Sequence, residues 1–339
     1  MRHRRTYAHF PARICVAGAG AIGCTLAARL AASGQQVKVL ARGATLAAIR
    51  ENGILLSDLD GEHRVRVEAS DDAAELGRQD LVFLCTKAPA LAGLLPRIAP
   101  LLGPETMVVP VVNGVPWWYF HGEPGRFAGQ HIAAVDPNGV LTRTLDLRHV
   151  LGCVVFITAH CPAPAVSQAQ NPHLMIFGEL DNRMSPRLEH LRALVAAAGI
   201  EARASGRIRD PLWTKIIANL SSNPLSVVTG ATLEQLYGQA ELRELASAAL
   251  HETLLVAAAY GARIDIDPRG FLEQGAGMGA VRTSMLQDYD KGNPLELAAI
   301  GDAVLELAGR LNLPMPVTRN LIALARFRGS QAHPTRSTT

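Results

Sequence analysis

The segment ICVAGAGAIGCTLAARLAASG, residues 14–34, decides the fold. An apolar run leads into glycines, and the residues that follow have the spacing of an amphipathic helix. Gly18, Gly20 and Gly23 form the pattern GxGxxG between this strand and this helix, which is the context that a dinucleotide site requires. The first glycine permits a tight turn, the second lets a pyrophosphate approach, and the third allows close helix–strand packing. The predicted cofactor-binding residues are Gly18, Ala19, Gly20, Ala21, Ile22 and Gly23. The alternative is a glycine-rich turn that binds no ligand.

The first half of the chain alternates short apolar runs with helical patterns. Runs at 36–42, 80–88 and 106–114 are typical of buried strands. Strands that alternate with helices predict a parallel sheet with right-handed crossovers. Residues 151–180 contain two strand patterns with no helix between them, which we expect to extend this sheet as an antiparallel region.

From about residue 207 one helical pattern follows another. The predicted fold class is therefore α/β, with an N-terminal Rossmann-type doubly wound sheet and a C-terminal all-helical domain. The expected divisions are a disordered basic arm at 1–12, a dinucleotide-binding Rossmann-type domain at 13–206, a helical substrate and catalytic domain at 207–328, and a disordered tail at 329–339.

The composition excludes several classes of function. The 339 residues carry a formal net charge of only +3, which does not indicate a nucleic-acid or anionic-membrane partner. No apolar stretch reaches the length of a membrane span. Residues 1–13 are basic and contain no apolar h-region, so we expect no secretory signal. The five cysteines form no CxxC pair and the histidines lack ligand spacing, so we predict no metal site. We expect a cytoplasmic enzyme with a small-molecule substrate, and a homodimer is compatible with the sequence.

The end of the second predicted strand indicates which dinucleotide binds. An NAD site usually has an acidic residue there, which holds the ribose 2′-hydroxyl. This strand ends in Ala41 and Arg42, and the next acidic residue is Glu51, inside the following helix. Arg42 can pair with a 2′-phosphate, so the sequence favours NADPH/NADP+ as cofactor. The alternative is that Arg42 is an ordinary solvated arginine.

Two further polar residues follow apolar strands. Lys87 ends the run at 80–88, and Asn113 ends the run at 106–114. Ligands of doubly wound sheets bind at these strand ends, so both residues are candidate cofactor-binding residues. Asn113 is also a candidate substrate-binding residue, because its amide can both donate and accept. The alternative for Asn113 is a plain turn, since Asn-Gly is a common turn pair.

The helix LWTKIIANLSSNPLS, residues 212–226, carries a polar row. Lys215, Asn219 and Asn223 are spaced one turn apart beside an apolar stripe. Asparagine is unfavourable in the interior of a helix. Asn223 also precedes Pro224, and a helix usually kinks or stops before a proline. A solvated face explains this pattern less well than a substrate-facing row. A protonated Lys215 can stabilise the alkoxide formed by hydride addition to a ketone and can donate the proton.

The segment TSMLQDYDKGNPLELAAIG, residues 283–301, adds two candidates. Ser284 can donate a hydrogen bond to a substrate carboxylate. Glu296 stands at the start of a helical pattern, where an acidic residue complements the helix dipole. The functional alternative is a carboxylate that holds a substrate hydroxyl or orients Lys215.

Together these motifs resemble the ketopantoate reductase (2-dehydropantoate 2-reductase) family over roughly residues 13–325. The motifs occur in the family's order: GxGxxG, the strand-ending Lys87, Asn113-Gly114, the W-x-K…N…N-P helix at 213–224, and SMLQD at 284–288 followed by Glu296. The resemblance implies NADPH-dependent reduction of ketopantoate to pantoate, a step toward pantothenate and coenzyme A.

The resemblance also implies residue roles. Lys215 would be the general acid and Glu296 its substrate-binding partner. Substrate would be bound by Asn219, Asn223 and Ser284, and the cofactor–substrate junction would be formed by Lys87 and Asn113.

Two segments depart from the family pattern, and one of them is the stretch DKGNPLE at 290–296, which replaces a more basic stretch. Four aromatic residues stand together at 117–120, and they could form a lid, a packing cluster or a subunit contact. If they line the pocket, the substrate is another branched or bulkier 2-oxo acid. A third reading is a non-catalytic dinucleotide-binding regulatory protein, which the presence of every catalytic candidate disfavours.

Overall fold

The structure is a computed structural model that describes residues 12–332. It divides into two compact units. The first contains the described residues up to Val112, together with Phe120–Gln130 and Val140–Ile208. The second contains Asn113–Tyr119, His131–Gly139 and the described chain from Arg209 onward. The predicted basic arm lies outside the described residues except for Ala12.

The strands, in chain order, are β1 (Arg13–Ala17), β2 (Gln36–Leu40), β3 (Ile54–Asp58), β4 (Gly61–Val65), β5 (Glu68–Ser70), β6 (Leu81–Leu84), β7 (Met107–Pro110), β8 (Gly152–Phe156), β9 (Ala159–Ala163), β10 (Val166–Ala169), β11 (Leu174–Gly178) and β12 (Glu201–Ala204). The α-helices are α1 (Ala21–Ala32), α2 (Gly43–Asn52), α3 (Ala73–Leu76), α4 (Leu91–Leu94), α5 (Val140–Thr144), α6 (Pro186–Ala197), α7 (Arg209–Thr229), α8 (Leu233–Gly238), α9 (Ala240–Ala259), α10 (Pro268–Ala276), α11 (Ser284–Asp290), α12 (Ala303–Arg310) and α13 (Pro316–Ala332). A π-helical turn, Ala298–Asp302, precedes α12.

The first unit is built on a five-stranded parallel sheet in the order β5-β2-β1-β6-β7. Strand β6 is buried throughout and β1 is buried except at Arg13, because both faces of a parallel sheet are covered. The register aligns Val16 with Val39 on one side and with Phe83 on the other. The predicted Rossmann-type α/β fold is confirmed.

Two smaller sheets complete the first unit. One has the order β4-β3-β10-β9 and packs against α1, and the sequence patterns did not predict it. The other has the order β12-β11-β8, with β11 antiparallel to β8. The expected antiparallel pairing within 151–180 is therefore present, but these strands form their own sheet. Only a single described bridge, Val108 to Val150, links this region to β7.

The second unit is helical. The longest helix among the described residues, α7, packs against α8, α9, α11, α13 and the π turn. Leu225, Leu236 and Leu250 belong to its buried core. Within the described range, no helix combines the length and apolar character needed to cross a membrane.

The structure differs from three local expectations. Segments 113–119 and 131–139 cluster with the helical unit, although the sequence placed them in the first domain. The cause is direct bonding, since the backbone amides of Ala133 and Ala134 donate to Glu306. The predicted disordered tail is wrong over its first residues, because α13 continues to Ala332 and Gly329 packs on Leu295.

The third difference is that α7 does not stop at the Asn223-Pro224 step. The helix continues to Thr229, with Pro224 inside it. Packing against five neighbouring elements outweighs the hydrogen bond that the proline removes.

Candidate active site

The loop between β1 and α1 requires glycine at two positions. Gly18 has a φ of +109°, and a Cβ there would lie 2.8 Å from the Cγ2 atom of Thr86. A Cβ at Gly23 would overlap the carbonyl oxygen of Gly18. The helix therefore approaches the loop more closely than a side chain would permit. A Cβ at Gly20, in contrast, would meet no described atom within 4 Å, so space is open beside it.

The start of α1 is suited to an anion. Gly20 is the N-cap, and no described side chain caps the first turn. The first-turn amides and the positive end of the helix dipole can therefore receive phosphate oxygens. Beside Gly18, the Thr86 hydroxyl oxygen is buried and has no hydrogen-bond partner among the described residues. These observations fit the pyrophosphate of a dinucleotide.

Sequence reasoning missed Thr86 as a candidate ligand. Its position after β6, next to Lys87, was the available signal. Burial of its hydroxyl could not be read from the sequence, because it follows from the approach of the glycine loop.

Arg42 and Lys87 lie at the same edge of the sheet as the loop. They follow β2 and β6, the two strands that flank β1. Arg42 is the N-cap residue of α2 and Lys87 precedes a 3-10 turn, and both side chains are exposed. Both cations are therefore positioned at the carboxyl end of a parallel sheet, where ligands of this fold bind.

In the second unit, α7 carries the predicted row. Trp213 and Ile217 are fully buried, whereas Lys215 and Asn219 are half-buried. Burial disfavours the charged ammonium and lowers the pKa of Lys215 from 10.5 to about 8. A lysine with this pKa is still largely protonated at neutral pH, yet it gives up its proton more readily than an exposed one.

The two asparagines of the row present unused donors. The Nδ2 atoms of Asn219 and Asn223 are buried and have no hydrogen-bond partner within residues 12–332. On its other side, the Oδ1 atom of Asn223 accepts from the Ser222 hydroxyl at 3.3 Å. Leaving a buried donor unsatisfied costs about 1–3 kcal/mol. The row is therefore preorganised to donate hydrogen bonds to oxygen atoms of a ligand.

The remaining candidates lie on elements that contact α7. Glu296 is buried and precedes the π turn, which packs on α7. Ser284 opens α11, which also packs on α7, but its side chain is exposed. Asn113 belongs to the same unit, and its neighbour Val115 donates to the carbonyl oxygen of Ala299 at 2.8 Å.

The aromatic segment is a packing cluster. Its four side chains are no more than 4% exposed. The Trp213 indole N–H donates to the Tyr119 hydroxyl at 2.7 Å, and their rings pack edge to face. The Arg209 guanidinium donates to the Tyr119 carbonyl oxygen. These bonds hold the first turns of α7, a role that the sequence pattern did not single out among its three alternatives.

The first unit thus offers a helix start suited to phosphate at the edge of a parallel sheet. The second offers a half-buried lysine beside amide donors that have no partner among the described residues. These are the parts of a dinucleotide-dependent oxidoreductase. The ketopantoate reductase PanE/ApbA family model matches residues 14–182, and its C-terminal model matches residues 207–329. The chain belongs to the ketopantoate reductase family, a family of NADP-dependent oxidoreductases.

Individual relatives agree with this assignment. The 2-dehydropantoate 2-reductase of Mesorhizobium japonicum is 38% identical over 315 residues, which are 93% of this chain and 97% of the relative. The crystal structure of a proposed ketopantoate reductase from Ralstonia solanacearum MolK2 matches with a TM-score of 0.90 and 39% identity, over 95% of this chain and 99% of that one.

A more distant structure shares the fold. The complex of D-mandelate dehydrogenase with NADH and anilino(oxo)acetate matches with a TM-score of 0.80 at 19% identity, over 94% of this chain and 99% of that one.

Proposed function

We propose that this protein reduces the 2-oxo group of 2-dehydropantoate (ketopantoate) to the alcohol of pantoate, with NADPH as the reductant. The single observation that carries the proposal is the polar row of α7, in which Lys215 has a lowered pKa beside two buried amide N–H donors that have no hydrogen-bond partner among the described residues. Membership of the family and the activity of the Mesorhizobium relative support it.

Lys215 acts as the general acid. When bound, NADPH supplies the hydride that converts the carbonyl carbon into an alkoxide carbon. The ammonium group of Lys215 stabilises the growing negative charge on the carbonyl oxygen and transfers its proton to that oxygen. Burial favours this transfer because the neutral amine is less penalised in a desolvated site.

The other polar groups position the substrate. Asn219 and Asn223 donate from their buried Nδ2 atoms to substrate oxygens, which removes the cost of leaving those donors unpaired. The buried Glu296 carboxylate accepts from a substrate hydroxyl, and Asn113 and Ser284 complete the substrate contacts.

The cofactor is held by the first unit. Amides at the start of α1 bind the pyrophosphate, and Arg42 pairs with the 2′-phosphate. Lys87 binds the cofactor from the end of the neighbouring strand, and the Thr86 hydroxyl donates to a phosphate oxygen.

The alternative substrate is a bulkier 2-oxo acid. Its sequence argument is the aromatic segment, but those four side chains are no more than 4% exposed, and Tyr119 accepts a hydrogen bond from Trp213 in the first turns of α7. The packing therefore favours ketopantoate over a substrate that needs an aromatic-lined pocket. A regulatory protein without activity would not need the buried, unpaired donors of the α7 row.

The test measures NADPH consumption by the purified protein with ketopantoate and with a panel of branched and aromatic 2-oxo acids. The proposal expects the highest kcat/KM for ketopantoate and a kcat lowered by about 100- to 10,000-fold in the Lys215→Ala variant. Faster turnover of a bulkier acid would replace the substrate, and binding of NADPH without any turnover would leave a non-catalytic dinucleotide-binding protein.

A further inference from the structure

The π turn at Ala298–Asp302 begins two residues after Glu296 and is contacted from two sides. A π turn interrupts the regular hydrogen-bond ladder of a helix. Such turns are rare in proteins overall, and those that occur are often found at functional sites. Here the Ala303 amide bonds to the Ala298 carbonyl oxygen, five residues back. The adjacent Ala299 carbonyl oxygen accepts a bond from outside the helix, from the Val115 amide at 2.8 Å.

The first side of this support is the Asn113–Val115 turn. Gly114 has a φ of +82°, and a Cβ on it would overlap the carbonyl group of Ala299 and lie 2.8 Å from the Ile300 nitrogen. These are backbone atoms, so no side-chain rotation can relieve the contact. Only glycine lets the turn sit flat on the π turn.

The second side is α13. A Cβ on Gly301 would lie 2.7 Å from the Cδ1 atom of Ile322. The π turn is therefore packed between the turn that carries Asn113 and the helix that carries Ile322, and it also packs on α7. Both close approaches depend on the absence of a side chain.

We propose that Gly114 and Gly301 are positioning residues that fix Glu296 and Asn113 relative to Lys215. This inference rests on the proposed function, because the proposed function places Glu296, Asn113 and Lys215 at the substrate. The π turn determines the direction of the chain at Glu296. The contact of Gly114 with Ala299 holds Asn113 against the same π turn. A displacement of about 1 Å at such a site lowers turnover by about 100-fold.

The principal variants are Gly114→Ala and Gly301→Ala, with Gly309→Ala as the matched control. Gly309 is exposed on α12, and a Cβ there would meet no described atom within 4 Å. We expect Gly114→Ala to lower kcat by about 100-fold and Gly301→Ala by about tenfold. The affinity for NADPH, measured by direct binding, should stay unchanged in Gly301→Ala, whose contact lies away from Asn113. Gly309→Ala should behave as the parent protein.

Rescue separates positioning from simple loss of stability. Ile322→Val removes the Cδ1 atom that a Cβ at position 301 would meet first, so the double variant Gly301→Ala/Ile322→Val should recover most of the lost kcat. The alkaline limb of the kcat–pH profile should also shift in Gly114→Ala, because the surroundings of Lys215 change. An unshifted profile together with unchanged kcat would overturn the proposal.

Hydrogen exchange provides a readout that does not need activity. The Val115 amide should exchange faster in Gly114→Ala than in the parent protein, because its bond to Ala299 is broken. If the parent protein reduces no 2-oxo acid, the proposed function fails, yet this measurement still tests the contact. Unchanged protection of Val115 in a variant with full activity would refute the positioning role directly.

Discussion

Lys215 combines a charge with a buried position, and its titration should therefore be visible in catalysis. The protonated form is the acid, so kcat for reduction should be highest below the pKa of about 8 and fall above it. The expected decline is about tenfold per pH unit. Steady-state kinetics at saturating NADPH and substrate, measured across the pH range, checks this prediction.

Two substitutions of Lys215 test whether this residue is the acid and whether it causes the alkaline decline of kcat. Lys215→Ala should lower kcat by about 100- to 10,000-fold. Lys215→Arg keeps a positive charge but does not release its proton near neutral pH, so its residual kcat should lack the alkaline decline. An unchanged alkaline limb in Lys215→Arg would assign the titration to another group.

Arg42 should determine the choice between the two nicotinamide dinucleotides. A charge-assisted bond to the 2′-phosphate contributes about 1.5–3 kcal/mol, so Arg42→Ala should raise KM for NADPH by about 10- to 100-fold. KM for NADH should change little, because NADH lacks that phosphate. Equal effects on both cofactors would show that Arg42 acts on the shared part of the dinucleotide. Arg50, on the same helix but bonded to the Ala69 carbonyl oxygen, offers a comparison site.

At the scale of elements, α7 depends on the aromatic segment for the placement of its first turns. Tyr119→Phe leaves the buried Trp213 indole N–H without its acceptor, which should lower the free energy of unfolding by about 1–3 kcal/mol. All three tryptophans lie in the second unit, so urea unfolding followed by tryptophan fluorescence reports on it.

Tyr260→Phe is the control for this substitution. The Tyr260 hydroxyl donates to the Leu307 carbonyl oxygen, and its ring packs edge to face on Tyr119. The variant therefore loses the same chemical group while the Trp213 indole N–H keeps its acceptor, the Tyr119 hydroxyl. We expect Tyr119→Phe to reduce kcat as well, because Lys215 lies two residues after Trp213 on α7. A loss of kcat in Tyr260→Phe of the same size would argue against a specific effect through α7.

The elements also show how far sequence patterns reach. The strand, glycine loop and helix at 13–32 could be predicted because short-range spacing and glycine stereochemistry determine them. The sheet β4-β3-β10-β9 could not, because β3 pairs with β10, more than a hundred residues later. Long-range pairing of short strands leaves little periodicity to read.

The candidate site was predictable to a similar extent. The row at Lys215 followed from helical spacing, since residues one turn apart share a face. The π turn after Glu296 could not be predicted, because it depends on the docking of Gly114 from a distant part of the chain. The homodimer remains a prediction.

At the scale of the whole molecule, a buried charge cluster in the first unit should make stability depend on pH. The Asp58 carboxylate is fully buried and accepts from the Arg29 guanidinium at 2.8 Å, and Arg29 also pairs with Asp60. Two histidines face the same carboxylate, His63 at 3.3 Å and His173 at 3.9 Å. The cluster joins α1 to the β3–β4 hairpin and to the segment before β11.

The sign of the effect follows from His173. Burial lowers its pKa below 6.5, and Arg29 and His63 lower it further, whereas Asp58 and Asp60 act in the opposite direction. Because the unfolded chain binds the proton more readily, stability is retained above about pH 6.5 and lost as the pH falls below it. Urea unfolding followed by circular dichroism at a series of pH values should show this loss.

His173→Gln removes the titrating group and should flatten the acid limb of stability. His190, whose pKa burial also lowers, contributes in the same direction, so the limb should shrink rather than vanish. An acid loss in His173→Gln as large as in the parent protein would place the pH dependence elsewhere. Because α1 begins at the glycine loop, affinity for NADPH should weaken over the same acid range if the cluster holds that helix in place.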